Sequence, residues 1–197
     1  MSQFVKLFER IRNADHDGPD LPELEHRAQV AYVHSIQCVE NYAGRPRVVV
    51  VVMQQDGTLA RHVFNVDSSE QRSYYDQRQL MGLLGAAGLP MIQHDVDLTQ
   101  AALDGLRGVP VHLDFVERQS GTRTYTNLTC RRVSYHQADV VRRVLEWDDA
   151  RGEVLERALG EAERGMFACE EGGDPKYADR WAELVSWIQS RMREVVA

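Results

Sequence analysis

The stretch "RTYTN", residues 123–127, combines the side chain types that single-stranded nucleic acid requires of a protein. Successive side chains of an extended chain point to opposite faces, so Arg123, Tyr125 and Asn127 share one face. Single-stranded nucleic acid is bound by cations along its backbone and by flat rings against its bases. Arginine serves both needs, because its planar guanidinium group also stacks on rings. This strand therefore predicts a nucleic-acid contact, with Arg118 across the preceding turn as a fourth member.

A second cluster of the same composition lies in "NYAGRPR", residues 41–47, which supplies Tyr42, Arg45 and Arg47. A structural interpretation applies to both clusters, since tyrosine and arginine also pack well on a pleated surface. For Tyr125 both interpretations stand. For Tyr42, which shares its loop with two arginines, contact with a ligand is the better fit.

Catalytic signatures are missing from the sequence. It contains no P-loop, no GxGxxG and no HExxH motif. The glycine-rich "GLLGAAGLP" ends a helix instead of following a strand, so its amides are poorly placed to hold phosphate. "HDVD" offers His94, Asp95 and Asp97 to a divalent metal, but a solvated acidic loop explains it better. We expect a non-catalytic protein without metal or cofactor.

The three cysteines are Cys38, Cys130 and Cys169, and their odd number and wide spacing predict free thiols. No apolar run approaches the ~18 residues that cross a bilayer. The first residues are too polar for a signal peptide. These features predict a cytoplasmic protein, in the host cytoplasm if a phage encodes it.

The formal net charge of −7 argues against a general nucleic-acid binder, but the charge is unevenly distributed. Residues 1–26 carry a net charge of −3, and residues 135–197 carry −5. Residues 27–134 carry 11 basic and 10 acidic side chains, and the basic ones are arginines. The middle segment is therefore the candidate for binding an anionic partner.

Hydrophobic periodicity divides the chain at the same points. Residues 1–26 predict a short helix and a linker, because Gly18, Pro19 and Pro22 interrupt the helical spacing. Residues 27–134 have mainly the period of strands. Residues 135–197 return to a helical period, either one long helix or two up to "CEEGGDPK", with Gly152 as the point in question. A final amphipathic helix follows.

The middle segment predicts a β-rich fold in the order three strands, one helix, two strands. "RVVVVVMQ" predicts a strand buried on both faces, and "QDGT" predicts a hairpin. A helix follows, capped by Ser68 or Ser69, and a short helical stretch begins after Thr99. This is the order of a five-stranded Greek-key OB barrel with a helix between strands 3 and 4. In that fold the loops after strands 1 and 4 flank the ligand groove, and both clusters map to them.

Two sequence stretches carry a resemblance to a known family: "QRQLMGLLGAAGLP" and "LDGLRGVPVHLDFVERQSGTRTYTNLTCRRV". They contain a helix ending in a Gly-Leu step, an apolar strand, a glycine turn and a Tyr-x-Asn-apolar ending. The sequence thereby resembles the small OB-fold single-stranded DNA-binding proteins of tailed bacteriophages, over roughly residues 27–134. The resemblance implies DNA contacts by Arg123, Tyr125 and Asn127. Many members end in an acidic tail that recruits partners, whereas this sequence ends in a predicted helix.

Two functional hypotheses follow. The first is a non-catalytic single-stranded DNA-binding protein of phage-type replication or recombination, with replication or recombination proteins as further partners. The alternative is a protein–protein interaction module on an OB scaffold, for a replication or host-defence partner, using the acidic helical region. Trp187 lies off the apolar stripe of the last helix, so it is either an exposed anchor for a partner or a tryptophan packed against the barrel. The same amphipathic helix also suits pairing into a homodimer.

Overall fold

The computed structural model describes residues 19–40, 44–67, 71–89 and 99–196, with the backbone alone at 40, 71–73, 120, 123, 195 and 196. The chain divides into two compact units, residues 1–133 and residues 134–197. This division lies one residue from the boundary that the sequence periodicity predicts. None of the described helices has the length and apolarity needed to cross a membrane.

Five antiparallel strands form one sheet in the first unit. The strands are β1 (Gln29–Glu40), β2 (Pro46–Met53), β3 (Leu59–Asn65), β4 (Pro110–Ser120) and β5 (Arg123–Arg132). Their order across the sheet is β3-β2-β1-β4-β5. Two helices described in this unit, α1 (Gln71–Ala86) and α2 (Gln100–Asp104), lie between β3 and β4 in the chain. The predicted succession of elements is confirmed, but the described ladders leave β3 and β5 as the two edges of an open sheet.

The valine run forms the centre of the sheet. Val48, Val50 and Val52 are buried, and they lie on the same face as Phe64 of β3. The alternate valines Val49 and Val51 lie on the other face, where they belong to a second buried cluster with Val39. Leu21, Leu59 and Val63 pack against this second cluster. The strand is therefore buried on both faces, as the sequence predicts.

The edge of β3 is hydrogen-bonded to residues that precede the sheet. Arg61 N–H donates to the carbonyl of Pro22 at 2.9 Å, and Leu24 N–H donates to the carbonyl of Arg61 at 2.8 Å. Glu23 and Arg61 form a parallel bridge. Leu24 is 3% exposed. Residues 19–24 thus form an arm along β3, where the sequence predicts a linker.

Helix α1 provides hydrogen-bond partners to both edge strands. Gln79 accepts the backbone N–H of Leu128 on β5 at 2.6 Å. The carboxylate of Asp76 accepts the backbone N–H of Asn65 at the end of β3, at 3.0 Å. Unpaired strand edges expose donors and acceptors that need partners, so these side chains supply acceptors at two edge positions that the described ladders leave unpaired.

Three helices form the second unit: α3 (Gln137–Trp147), α4 (Glu153–Glu171) and α5 (Pro175–Val196). The first break contains Asp149 and Gly152, both at positive φ, so the region before the glycine-rich break is two helices. Buried residues from all three helices, including Leu155, form one core. Trp187 packs against that core, and the guanidinium of Arg142 lies 5.3 Å from its ring centroid. Trp187 is therefore partly buried within the helical unit, and its predicted packing against the barrel stays a prediction.

The second unit depends on close contact between α4 and α5 at a glycine. A Cβ added to Gly165 would lie 2.7 Å from the ring of Trp181. We expect Gly165→Ala to lower the free energy of unfolding by ~1–3 kcal/mol, because the ring must shift out of a packed core. Gly160→Ala is the matched control in the same helix, since its Cβ would meet only the end of Arg164 at 3.7 Å. The control should stabilise by roughly 0.5–1 kcal/mol. If the two substitutions change the free energy of unfolding equally in urea denaturation, the close contact between Gly165 and the Trp181 ring is contradicted.

The contact between Gln79 and β5 gives a second prediction. Replacing Gln79 with methionine leaves the N–H of Leu128 without its acceptor, which should cost ~1–3 kcal/mol of stability. Gln79→Glu keeps an acceptor oxygen at the same position and should retain most of the stability. Denaturant unfolding of the three proteins measures the difference. If methionine and glutamate are equally tolerated, the bond does not support the edge.

Candidate nucleic-acid interface

The β4–β5 hairpin carries a polar, partly aromatic outward face. Arg118 lies directly opposite Tyr125 in the ladder, and Val116 lies opposite Asn127. Side chains directly opposite each other have Cβ atoms ~4.5–5.5 Å apart. Tyr125 is 43% exposed and Arg118 is exposed. The register sets Arg123 opposite Ser120, in phase with these pairs. The face deduced from strand alternation therefore exists, with a guanidinium beside an exposed ring.

Farther along the same face the charges are balanced within the sheet. The guanidinium of Arg131 lies 3.8 Å from the carboxylate of Asp114 on β4. The arginine side chain is 70% exposed, so this pair contributes little to stability. Thr129 also donates its hydroxyl to the carbonyl of Asp114 at 3.2 Å. The unbalanced positive charge on this face therefore lies toward the turn of the hairpin, at Arg118.

A second arginine surface lies on the outward face of β2 and β3. A groove of about 330 Å³ is lined by five residues: Glu23, Arg47, Arg61, Val63 and Asn65. Strand pairing explains the set, because Arg47 lies opposite Asn65, and Val49 opposite Val63, with Arg61 two residues further along. The Nε atoms of both arginines are inaccessible to solvent. Two arginine side chains and an asparagine amide thus line one groove together with Val63.

The residues predicted from "NYAGRPR" divide between described and undescribed positions. Arg47 enters the groove, as above. Arg45 is exposed immediately before β2 begins at Pro46. Tyr42 lies outside the described residues. The role of this loop in binding stays a prediction.

Strand register separates the two predicted clusters. Arg47 lies opposite Val39 near the end of β1, whereas β4 meets β1 only at its start, where Gln29 lies opposite Leu113. Val39 lies ten residues after Gln29, which corresponds to roughly 30 Å along the strand. Arg118 lies five residues beyond Leu113, in the opposite direction along β4. The two clusters are therefore far apart along the strands, and the groove at Arg47 is lined by no residue of the β5 cluster.

Sequence reasoning missed Arg61 and Asn65. Hairpin geometry contained the signal: once "QDGT" fixes the turn, the pairing of β2 with β3 follows, and Arg47 must lie opposite Asn65. Asp56 supports that turn by accepting the hydroxyl and the backbone N–H of Thr58, which lowers the pKa of its carboxyl group. Gly57 has the positive φ that the turn requires.

The cysteines are free in this structure, as the sequence predicts. Burial raises the pKa of the Cys38 thiol and of the Cys130 thiol to about 12, so both stay protonated near neutral pH. In the part of the chain that the structure describes, no group of three His, Cys, Asp or Glu residues is arranged to hold a metal ion. The segment 94–97, with its histidine and two aspartates, lies outside the described residues.

His62 lies on the inward face of β3 among aromatic rings. Its ring centroid is 4.7 Å from that of Phe64 and 6.0 Å from that of Phe115 on β4, which also stacks with His26 at 4.6 Å. Burial lowers the pKa of His62, and His26 adds to this, while the carboxylates of Asp76 and Glu23 oppose it. This histidine is therefore a packing group that favours the neutral form.

No protein-family model matches the sequence, and the search of curated proteins finds no match.

The lowered pKa of His62 predicts acid sensitivity. Because the folded pKa lies below the unfolded value of ~6.5, the unfolded chain binds more protons between the two values. Stability is then full above pH ~6.5 and falls as the pH drops toward the folded pKa. His62→Gln should reduce this loss in unfolding experiments between about pH 5 and 8, whatever its effect at neutral pH. Parallel pH curves for the two proteins would contradict this origin of the sensitivity.

Proposed function

We propose that this protein binds single-stranded DNA without catalysis and with little dependence on base sequence, in phage-type replication or recombination. The observation that carries the proposal is the cross-strand pair of Arg118 and the exposed Tyr125, with Asn127 next to it on the same face. A cation can bind the phosphate of a nucleotide and an aromatic ring can stack on its base, while the amide offers a hydrogen bond.

The curvature of the sheet and the pairing of its strands support an OB-like barrel as the scaffold. β3 and β4 are three positions apart in the sheet, which is roughly 14 Å if the sheet is flat. Yet the rings of His62 and Phe115, one on each strand, are 6.0 Å apart, which supports a sheet that curls toward its inner face. β1 pairs with β2 and with β4, and its register shifts between Val33 and Ser35, an irregularity that lets a strand bend.

The two arginine surfaces suit different parts of the ligand. In OB proteins the face of strands 2 and 3 and the loops after strands 1 and 4 contact oligonucleotides. The groove at Arg47 and Arg61 offers donors to phosphate oxygens, whereas Tyr125 offers a stacking surface to a base. The long separation between them fits a strand that crosses several nucleotides, within the ~4–16 that one OB fold covers.

Removing the ring of Tyr125 tests the stacking contact. Tyr125→Ala should weaken binding of labelled oligo-dT by ~1–3 kcal/mol, about five-fold to 150-fold in Kd. Tyr125→Phe keeps the ring and should bind nearly as well as the unaltered protein. Fluorescence anisotropy at low salt measures all three. If alanine binds as tightly as phenylalanine, Tyr125 is a surface residue of the scaffold.

The salt dependence of the same titration tests the cations. For a single strand, the slope of log K against log salt is about −0.7 for each phosphate neutralised. Arg118→Gln should therefore make the slope shallower by about 0.7. Absence of binding by the unaltered protein at low salt would refute the proposed function.

The alternative, a protein-binding module, is favoured by a different observation. Phe167 and Tyr177 are 57% and 51% exposed on the helical unit, which carries a net charge of −5 over residues 135–197. Exposed aromatic side chains on an acidic surface suit a basic protein partner. Absent DNA binding together with a size-exclusion shift on adding replication or host-defence proteins would favour this module.

A further inference from the structure

The arm formed by residues 19–24 lies on the face of the sheet that also holds the groove. Leu21 packs against the cluster of Val39, Val49 and Val51, and Leu24 is buried. The backbone of the arm is hydrogen-bonded to Arg61 through both the N–H and the carbonyl group of that residue. The arm is thus anchored by apolar contacts and backbone bonds.

The arm presents to the groove the kind of atoms that a phosphate would present. The Nη1 atom of Arg61 donates to the carbonyl oxygen of Pro19 at 2.8 Å. Glu23 lines the groove together with Arg47 and Arg61, and its own side chain is exposed. Guanidinium groups bind carboxylate and phosphate oxygens through the same donor geometry. An oxygen of the DNA backbone and the carboxylate of Glu23 would therefore compete for these donors.

We propose that the arm is an internal competitor: Glu23 occupies the arginine groove in the absence of DNA, and the strand must displace its carboxylate. The inference rests on the proposed function, since the competing ligand is the DNA backbone. Leu21 and Leu24 hold the arm on the sheet while the exposed side chain of Glu23 moves aside. The arm then lowers affinity without unfolding, and its effect is confined to the groove.

Removing the carboxylate alone tests the competition in the full-length protein. Glu23→Gln should bind labelled oligo-dT at least about five-fold more tightly than the unaltered protein at low salt, the usual lower range of coupling between sites. Glu25→Gln is the matched control. It makes the same change of charge two residues away, where Glu25 pairs with Arg27 at 2.9 Å and does not line the groove. Its effect should be less than two-fold, as expected from net charge alone.

A double-mutant cycle locates the effect. In an Arg47→Gln background, Glu23→Gln should lose most of its gain, because one of the donors that both ligands use is missing. Thermal unfolding of each variant checks that the arm remains folded on the sheet. A gain with unchanged melting temperature supports displacement of the side chain; a gain that appears only with a lowered melting temperature overturns it in favour of release of the whole arm.

The outcomes separate this inference from the proposed function. If the unaltered protein binds and the two glutamine variants behave alike, the competition is refuted and DNA binding stands. If Glu23→Gln alone binds measurably, the competition by Glu23 is supported, but the unaltered protein does not bind DNA and the proposed function fails. If neither the unaltered protein nor Glu23→Gln binds at low salt, the proposed function fails and the inference with it.

Discussion

The structure of the first unit depends on how the two edges of its sheet obtain hydrogen-bond partners. Edge strands leave N–H and C=O groups that must be paired, covered or exposed to water. Here some of these groups bond to parts of the chain outside the ladders: the arm bonds to Arg61 on β3, and Gln79 of α1 bonds to Leu128 on β5. Because these bonds are directional, they fix where the arm and the helix lie on the sheet.

That arrangement gives the outward faces of the sheet different characters. The face of β4 and β5 near the hairpin turn leaves Tyr125 and Arg118 exposed. The face of β2 and β3 is partly covered by the arm: the guanidinium of Arg61 donates to the carbonyl of Pro19, and Glu23 lines the same groove. Exposed aromatic and cationic side chains suit transient stacking with bases, whereas the covered groove suits a contact that competes with an internal group. The hydrogen bonding of the β3 edge and the proposed regulation therefore have one structural cause.

The helical unit is stabilised by the packing of side chains between helices, and its described residues leave no strand edges to pair. Gly165 lets α4 approach the ring of Trp181, and Trp187 joins the core beneath Arg142. Partial burial of Trp181 and Trp187 against this core limits the ring area that either offers to a partner. Phe167, Tyr177 and Val154 are instead more than half exposed on this acidic unit.

Local sequence pattern determined the secondary-structure elements of this protein and which residues share a strand face. Alternation set the shared face of Tyr125 and Asn127, the valine run set a strand buried on both sides, and glycine and proline marked the breaks. These features depend on neighbours in the chain, so the sequence alone specifies them. The partners of Arg61, the burial of Leu24 and the distance between the two arginine clusters were decided by the tertiary structure. They depend on strand register and on which distant segment covers each edge, and periodicity carries no information about either.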